Sequence, residues 1–268
     1  MMNFKVYKNG KQLNNDELYF SNQKIIFIFH GLFGRAKNWH SIALRISSIV
    51  QDILVVFDLR NHGENEPSTE ISYSIMVNDV YEFIKRKNIN NFSIIGHSMG
   101  GKLGMLFTLL YPQFVKQLFV VDIAPVNYPR EETEIVDHLL KINVKCCKSR
   151  NEVDSKLSYY LKDKELRTFL LQNLNFNNGI YDWSLNLNTI KMGMSDLRGF
   201  PIDIISNASQ IDTLCIFGGN SPYINEKYKD KFKTLFTNLK FFKIKDAGHW
   251  LHAEKPQEFI NIISKKLI

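Results

Sequence analysis

The chain has 268 residues, a formal net charge of +7 and an isoelectric point of about 9.1, and its length suits one large domain or a domain with an insert. Hydrophobic residues make up 44% and charged residues 23%, which is typical of a globular protein that needs no disulfide staples. The lysines and arginines are dispersed and not interleaved with aromatic residues, so we expect no nucleic-acid partner.

Three cysteines and the N-terminal segment favour a cytoplasmic protein. Cys146 and Cys147 are adjacent and Cys215 stands apart, a spacing that predicts no disulfide framework and indicates a reducing compartment. The N-terminal segment lacks the apolar core of a signal peptide. The longest apolar run, Ile25–Phe29, is far too short to span a membrane, so we expect no stable membrane insertion.

Short apolar runs alternate with helical stretches, which is the pattern of a mostly parallel sheet flanked by helices. Asn9-Gly10 predicts a hairpin at the sheet edge, between Phe4–Tyr7 and Lys11–Leu13. The further predicted strands are Ile25–Phe29, Ile53–Asp58, Phe92–Gly96, Leu118–Asp122, Thr213–Phe217 and Lys240–Ile244. Apolar residues at helical spacing predict helices over Ser74–Asn88, Met99–Tyr111 and Pro256–Leu267.

The alternation stops between Asp122 and Thr213, where about 90 residues show no convincing strand. Because a structureless loop of that length is unusual, we expect a helical cap inserted over the carboxyl end of the sheet. The predicted core comprises residues 1–126 and 196–268, and the predicted cap comprises residues 127–195. Its predicted helical pieces are Glu131–Lys145, Glu152–Leu161 and Glu165–Asn173.

A Gly-His-Ser-Met-Gly motif at Gly96–Gly100 lies between a predicted strand and a predicted helix. Gly-x-Ser-x-Gly in that context is typical of a nucleophile elbow, a tight turn that projects the serine hydroxyl above the sheet. The helix that follows would place its positive end beside the hydroxyl. Ser98 is therefore the candidate nucleophile.

A second motif, His30–Gly34, follows an apolar strand directly and has the sequence His-Gly-Leu-Phe-Gly. A glycine-containing turn there can expose a backbone N–H toward the nucleophile. The amides of Leu32 and Met99 are the candidate oxyanion hole, which would stabilise a tetrahedral intermediate. The alternative interpretation of His30–Gly34 is an ordinary turn between a strand and a loop.

Together these two motifs resemble those of the α/β-hydrolases, in which nucleophile, acid and base follow one another along the chain. His249 is the candidate base, since it follows a predicted strand and precedes the last helix, within Ala247–Trp250. His252 is the rival, but it lies one helical turn further on and lacks the adjacent glycine. His30, His62 and His97 belong to motif turns and are interpreted as structural hydrogen-bonding groups.

The candidate acid departs from the common pattern of that fold, in which an aspartate follows the first strand after the cap. Here that strand leads into Gly218–Ser221, so Ser221 stands where the aspartate is expected. A serine cannot supply the negative charge that stabilises an imidazolium. Asp122 fits, because it ends an apolar strand and is followed by Ile-Ala-Pro, which directs the chain out of the sheet. The alternative role for Asp122 is to cap the first turn of the insert.

Other acidic residues fit less well. Asp246 lies too close to His249 along the chain, and Asp203 and Asp212 do not follow a strand. Asp58, at another strand end, is interpreted together with Arg60 as tying loops around the site. The sequence has no metal-ligand spacing, no Gly-x-Gly-x-x-Gly and no Walker loop, so we expect no metal and no cofactor.

The chain resembles the bacterial YbfF-type esterases over essentially its whole length. The motifs that carry this resemblance lie at His30–Gly34, Asp58–Gly63, Gly96–Lys102, Val121–Val126, Gly218–Tyr223 and Gly248–Pro256. The resemblance implies a Ser98, Asp122 and His249 triad, with Ser221 as an auxiliary hydroxyl near it. It also implies hydrolysis of carboxylic esters or of acyl-CoA thioesters, so a small-molecule acyl ester or acyl-CoA is the expected substrate.

Two other functions remain open at this point. The same triad could hydrolyse a carbon–carbon bond or catalyse an elimination in menaquinone synthesis, because fold alone does not fix chemistry. The chain could also be a non-catalytic ligand receptor on this fold, although all three triad members are present.

Overall fold

A mostly parallel sheet forms the centre of the molecule in the computed structural model, which describes residues 2–14, 20, 23–129 and 133–268. The strands are β1 (Phe4–Lys8), β2 (Lys11–Leu13), β3 (Ile25–Phe29), β4 (Ile53–Phe57), β5 (Phe92–His97), β6 (Val115–Val121), β7 (Leu174–Asn177), β8 (Ile180–Trp183), β9 (Asp212–Gly218) and β10 (Leu239–Ile244). The sheet has the order β10-β9-β6-β5-β3-β4-β1-β2. β1 is antiparallel to both of its neighbours, β2 and β4, and the other neighbouring strands of this sheet are parallel.

Helices cover both faces of the sheet. They are α1 (His40–Ile49), α2 (Tyr73–Lys87), α3 (Met99–Leu110), α4 (Thr133–Leu140), α5 (Arg150–Tyr160), α6 (Lys164–Leu170), α7 (Leu187–Arg198), α8 (Glu226–Leu235), α9 (Leu251–Glu254) and α10 (Pro256–Leu267). Every residue of β3 and β4 is buried, because a strand covered on both sides can be apolar throughout.

Successive residues of β3 pack into two different cores. Phe27 and Phe29 join the cluster that includes α2 and α3, whereas Ile26 and Ile28 join the cluster under α1 and α10. This alternation is the two-residue period of a strand. The α/β-hydrolase fold, with a mostly parallel sheet flanked by helices, is therefore confirmed, and so is the predicted hairpin at the sheet edge.

The segment between β6 and β9 contains α4, α5, α6 and α7, but the expectation that it has no strand is wrong. β7 and β8 form a separate antiparallel hairpin. Each strand has only four residues and most of their side chains are half-buried or exposed, so the apolar pattern is weak. The missed signal is Asn178-Gly179, where both residues have positive φ, 51° and 81°, as a tight hairpin turn requires.

The predicted helix over Glu131–Lys145 is shorter in the structure. The first two residues of the predicted helix, 131 and 132, lie outside the described residues. The observed helix α4 ends at Leu140, five residues before the predicted end. A 3-10 turn over Val144–Cys146 follows. The predicted boundary between residues 195 and 196 falls inside α7, which continues to Arg198.

Candidate active site

The candidate site lies at the carboxyl ends of four neighbouring parallel strands. Ser98 follows β5, Asp122 follows β6, Ser221 follows β9 and His249 follows β10. These strands are adjacent in the order β10-β9-β6-β5. Because parallel strands end at the same edge, residues far apart in the chain meet there.

Ser98 occupies the sharp turn that the elbow motif predicts. Its backbone has φ 50° and ψ −117°, a conformation that costs about 1–3 kcal/mol and persists only where the surroundings enforce it. The amide of Ser98 donates to the Val121 carbonyl at 3.0 Å, and the Lys102 amide donates to the Ser98 carbonyl at 3.0 Å. These two bonds fix the turn between β6 and the first turn of α3.

The glycines of the elbow are required because backbones touch on both sides of the serine. A Cβ on Gly96 would lie 2.3 Å from the Gly100 carbonyl oxygen, and a Cβ on Gly100 would lie 2.3 Å from the carbonyl oxygen of Phe29. Any side chain at either position would therefore displace backbone. The Gly-x-Ser-x-Gly pattern reflects this close packing and not only the turn itself.

The two predicted oxyanion amides lie beside the nucleophile. Leu32, Ser98 and Met99 line the same cavity. Within the described part of the chain, the amides of Leu32 and Met99 have no backbone acceptor outside the regular elements. Met99 is the first residue of α3, so its N–H belongs to the free end of that helix.

Asp122 binds both His249 and Ser221. Its side chain is fully buried and its backbone has φ 55°. One carboxylate oxygen accepts from the Gly218 amide at 2.9 Å, and the other lies 2.7 Å from Nδ1 of His249. The hydroxyl of Ser221 donates to that second oxygen as well. A carboxylate at Nδ1 holds the imidazole in the tautomer whose Nε2 is free to accept a proton.

The loop that carries His249 is fixed by groups that the sequence analysis did not single out. The two carboxylate oxygens of Glu254 accept from the amides of Gly248 and Trp250, at 2.6 and 3.1 Å. The ring of Tyr223 stacks on the ring of His249, with centroids 4.1 Å apart. The signal for Glu254 is its position in the first turn of a short helix, where a carboxylate can reach free amides.

His97 connects the elbow to this loop. Its Nε2 donates to the carbonyl of His249 at 2.9 Å, and its ring lies 4.7 Å from the His249 ring and 4.5 Å from the His252 ring. Burial, together with the neighbouring histidines, lowers the pKa of His97 well below its usual value. His97 is therefore neutral and holds the base loop in place.

His252, the rival base, lies away from Asp122. Its ring stacks on Trp39, with centroids 4.5 Å apart and planes within 2° of parallel. Burial lowers the pKa of His252 to about 3, so its imidazole stays neutral. The structure brings His249, and not His252, to the carboxylate.

His30 and His62 are locked as hydrogen-bonding groups of two loops. Nδ1 of each donates to a nearby carbonyl at 2.8 Å, and Nε2 of each accepts a backbone amide, from Leu59 at 3.0 Å and from Phe33 at 3.2 Å. Burial lowers the pKa of His30 to about 4 and that of His62 to about 3. Both histidines serve structure, as their positions in motif turns indicate.

Asp58 and Arg60 also hold loops at this edge of the sheet. The Asp58 carboxylate accepts from the amides of Ala36 at 2.6 Å and Glu64 at 2.9 Å. Arg60 forms a two-pronged ion pair with Asp79, at 2.7 and 2.8 Å. Asp58 thus joins the loop after β3 to the loop after β4.

Lys102 is a buried charge at the end of the Gly96–Lys102 motif, to which the sequence analysis assigned no role. It lies one helical turn after Ser98, and its ammonium donates to the carbonyls of Arg198 at 2.6 Å and Gly199 at 2.7 Å. The ammonium also lies 4.8 Å above the ring of Tyr128. A lone charge on an otherwise apolar helix is the signal that could have identified it.

Across the described ranges, no group of three or more His, Cys, Asp or Glu side chains is placed to hold a metal ion. Cys146, Cys147 and Cys215 are free thiols. No helix in the described ranges combines the length and apolarity needed to cross a membrane.

Comparisons with known proteins show the family to which the chain belongs. A model of the alpha/beta hydrolase fold matches residues 24–145. The sn-1-specific diacylglycerol lipase ABHD11 of Danio rerio is 33% identical over 245 residues, which cover 89% of this chain and 76% of the relative. The chain therefore belongs to the α/β-hydrolase family.

The resemblance to YbfF-type esterases is also confirmed. Esterase YbfF of Escherichia coli (strain K12) is 31% identical over 248 residues, which cover 92% of this chain and 94% of the relative. A solved structure of a marine microorganism esterase is 33% identical, covers 98% of both chains and superposes with a TM-score of 0.90.

Proposed function

We propose that the chain hydrolyses carboxylic esters through an acyl-enzyme on Ser98, with His249 as the base and Asp122 as the acid. The observation that carries this proposal is the 2.7 Å contact between Asp122 and Nδ1 of His249, at the same sheet edge as the strained turn of Ser98. A serine, a histidine and a buried carboxylate on neighbouring strand ends have the roles of a hydrolase triad.

The mechanism has two halves. His249 takes the proton of Ser98 as the hydroxyl attacks the ester carbonyl, and the amides of Leu32 and Met99 stabilise the oxyanion. His249 then gives its proton to the leaving alcohol. In the second half His249 activates water, which releases the acid from Ser98, while Asp122 holds the imidazole tautomer throughout.

The names of the relatives support an ester as the substrate class. Two are called a diacylglycerol lipase and an esterase, and both align with most of this chain. Acyl-CoA thioesters belong to the same proposal, because a thiolate leaves the same tetrahedral intermediate. The competing chemistry is hydrolysis of a carbon–carbon bond in a ring-cleavage diketone. Analysis of the products formed from an acyl-CoA and from such a diketone distinguishes the two chemistries.

The predicted cap, residues 127–195, is part of the proposal. Two of its hydrogen bonds are to loops that follow the carboxyl ends of β3 and β4. Nδ2 of Asn173 donates to the Phe33 carbonyl at 2.6 Å, and the amide of Asn186 donates to the Asn61 carbonyl at 3.1 Å. A cap held in this position would lie over the site and shape its pockets.

The test is the burst of leaving group from an activated ester. Ser98→Ala should fold normally, give no burst and lose labelling by a fluorophosphonate probe, since the substitution removes the hydroxyl that forms the acyl-enzyme. Ser209→Ala is the matched control, because Ser209 is also buried but belongs to a loop before β9. An unchanged burst in Ser98→Ala contradicts the proposal, and absence of labelling in the wild type favours a non-catalytic receptor.

A further inference from the structure

The ring of Tyr223 covers one face of the His249 imidazole. The two ring centroids are 4.1 Å apart and the planes are 26° from parallel, so the rings lie face to face. The rings of His97 and Trp250 also contact the imidazole, but their centroids are 4.7 and 5.8 Å away and their planes are tilted by 42° and 64°. Among the described residues, Tyr223 therefore makes the tightest and most parallel ring contact with His249.

Tyr223 is held in this position through its backbone. Its carbonyl accepts from the hydroxyl of Tyr128 at 2.7 Å, and its amide donates to the Ser221 hydroxyl oxygen at 3.3 Å. The Tyr128 hydroxyl is itself fixed, because it accepts from a backbone amide at 2.9 Å. Ser221 also donates to Asp122, so the backbone of Tyr223 is tied to the same carboxylate that binds His249.

The stack faces the charge that forms on the base. In the proposed mechanism His249 becomes positively charged when it takes the proton of Ser98. Asp122 meets this charge at Nδ1, on the edge of the imidazole, whereas Tyr223 meets it over the face. The face of an aromatic ring carries a negative partial charge and attracts a cation within about 6 Å of its centroid. The stack should therefore stabilise the imidazolium more than the neutral imidazole.

Three other titratable groups surround His249, and each has a different role. His97 donates to the His249 carbonyl, and burial together with the neighbouring histidines lowers its pKa well below the usual value. Burial lowers the pKa of His252 to about 3, so both of these imidazoles stay neutral. The Glu254 carboxylate accepts backbone amides of the loop that carries His249. A substitution at Tyr223 changes none of these three side chains.

We propose that Tyr223 is a positioning residue for the base, whose ring holds the imidazole plane and stabilises the imidazolium during proton transfer. The proposal rests on the proposed ester hydrolysis and adds to the triad a side chain that acts through His249. Asp122 holds the imidazole at a single point, Nδ1, and the tyrosine ring blocks the tilt of the imidazole toward its own side.

The main experiment is Tyr223→Leu, which removes the aromatic face and keeps an apolar side chain. Because the imidazolium loses a favourable contact, His249 should release its proton at lower pH. The acid limb of kcat/KM against pH, which reports the free enzyme, should move down by about half a pH unit, and kcat at the plateau should fall about fivefold. A purely structural role lowers kcat without moving the limb, so an unchanged limb, or one that moves to higher pH, overturns the proposal.

Two conservative changes at the same position isolate the ring. Tyr223→Phe keeps the aromatic face, so kcat should stay within about twofold of the wild type and the limb should not move. Ring-fluorinated phenylalanine at position 223 has nearly the same size but a less negative face, so its limb should lie below that of Tyr223→Phe. This pair tests the proposal even where Tyr223→Leu does not fold. If Tyr223→Phe loses as much kcat as Tyr223→Leu, the hydroxyl and not the ring is what matters, and the proposal is wrong.

Tyr228→Leu is the matched control. Tyr223 and Tyr228 are both half-buried, and their rings contact the same neighbour, Tyr128, at 5.2 and 5.4 Å. Among the described residues, the rings that contact His249 do not include Tyr228. Tyr228→Leu should therefore change neither kcat nor the acid limb, and a shift of the limb as large as that in Tyr223→Leu contradicts the assignment to the stack.

A titration without substrate separates this proposal from the proposed function. The NMR signal of the His249 Cε1 proton, assigned by its loss in His249→Gln, should titrate at lower pH in Tyr223→Leu than in the wild type. Absence of Ser98-dependent turnover of any ester in the wild type is failure of the proposed function, and the NMR titration still tests the stack. A His249 signal that titrates at the same pH in the wild type and in Tyr223→Leu overturns the proposal.

Discussion

Asp58 and Asp122 each follow a parallel strand at the same edge of the sheet, and they are 2% and 0% exposed. Both oxygens of Asp58 accept backbone amides, of Ala36 and Glu64. In Asp122, one oxygen accepts a backbone amide and the other binds His249 and Ser221. The comparison teaches that a buried carboxylate bound by backbone alone holds loops, whereas one bound to an imidazole can direct a proton.

The two carboxylates should differ most in their effect on kcat when each aspartate is replaced by asparagine. In Asp122→Asn, the side-chain NH₂ group would face Nδ1 of His249 and force the tautomer whose Nε2 already carries a proton. His249 could then no longer accept the proton of Ser98, and kcat should fall about 10⁴-fold. Steady-state kinetics with an activated ester measures the loss, and circular dichroism checks that the variant is folded. A fall of less than about tenfold contradicts the role of Asp122 as the acid.

Asp58→Asn should have its main effect on stability. The new NH₂ group would face a backbone N–H, of either Ala36 or Glu64, and leave it without an acceptor, which costs about 2–3 kcal/mol of unfolding free energy. Urea denaturation at neutral pH measures this loss. At a temperature where the variant is folded, kcat should stay within about tenfold of the wild type. If folded Asp58→Asn loses as much activity as Asp122→Asn, the two carboxylates do not differ in the way proposed.

Local sequence patterns predict much of this edge, because a strand, a glycine turn and a helix are short-range features. The turn at Ser98 and the loop at His30–Gly34 follow from such patterns. Asp122 and His249 are 127 residues apart, and their meeting depends on strand order, which apolar periodicity does not encode. The prediction needed the further argument that Ser221 cannot act as the acid.

For other side chains of the site the sequence carries a signal but does not show the partners, since these are backbone atoms that only the fold brings near. Lys102 binds carbonyls at the end of α7, at a sequence separation of 96 and 97 residues. Glu254 binds amides of the base loop, and only the folded loop shows which amides are free. The hairpin β7–β8 was missed for a different reason, because its strands are short and its side chains are mostly not buried.

The buried His62, which lies near Asp58, provides a test through the pH dependence of stability. Burial lowers the pKa of His62 from 6.5 to about 3, so between these values the unfolded chain binds a proton that the folded chain does not. The folded state therefore has its full stability above about pH 6.5 and loses it as the pH falls, by about 2 kcal/mol at pH 5 for this one histidine. Urea denaturation of the wild type at pH 7.5 and pH 5 measures the loss.

A substitution measures how much of this pH dependence comes from His62 itself. His62→Gln keeps an acceptor for the Phe33 amide and removes the titration, so it should reduce the loss of stability between pH 7.5 and pH 5 by about 2 kcal/mol. An unchanged loss in His62→Gln would show that protonation of His62 does not oppose folding.

The smallest expected effect belongs to Ser221, whose hydroxyl gives Asp122 a side-chain hydrogen bond that Asp58 lacks. Ser221→Ala leaves the contact between Asp122 and His249 in place but removes a hydrogen bond to a charged group, so kcat/KM should fall about tenfold. Ser209→Ala, a buried serine away from the site, should leave kcat/KM unchanged. If Ser221→Ala costs more activity than Asp122→Asn, the group that stabilises the imidazolium lies at the end of β9, and the contrast between the two carboxylates no longer explains the site.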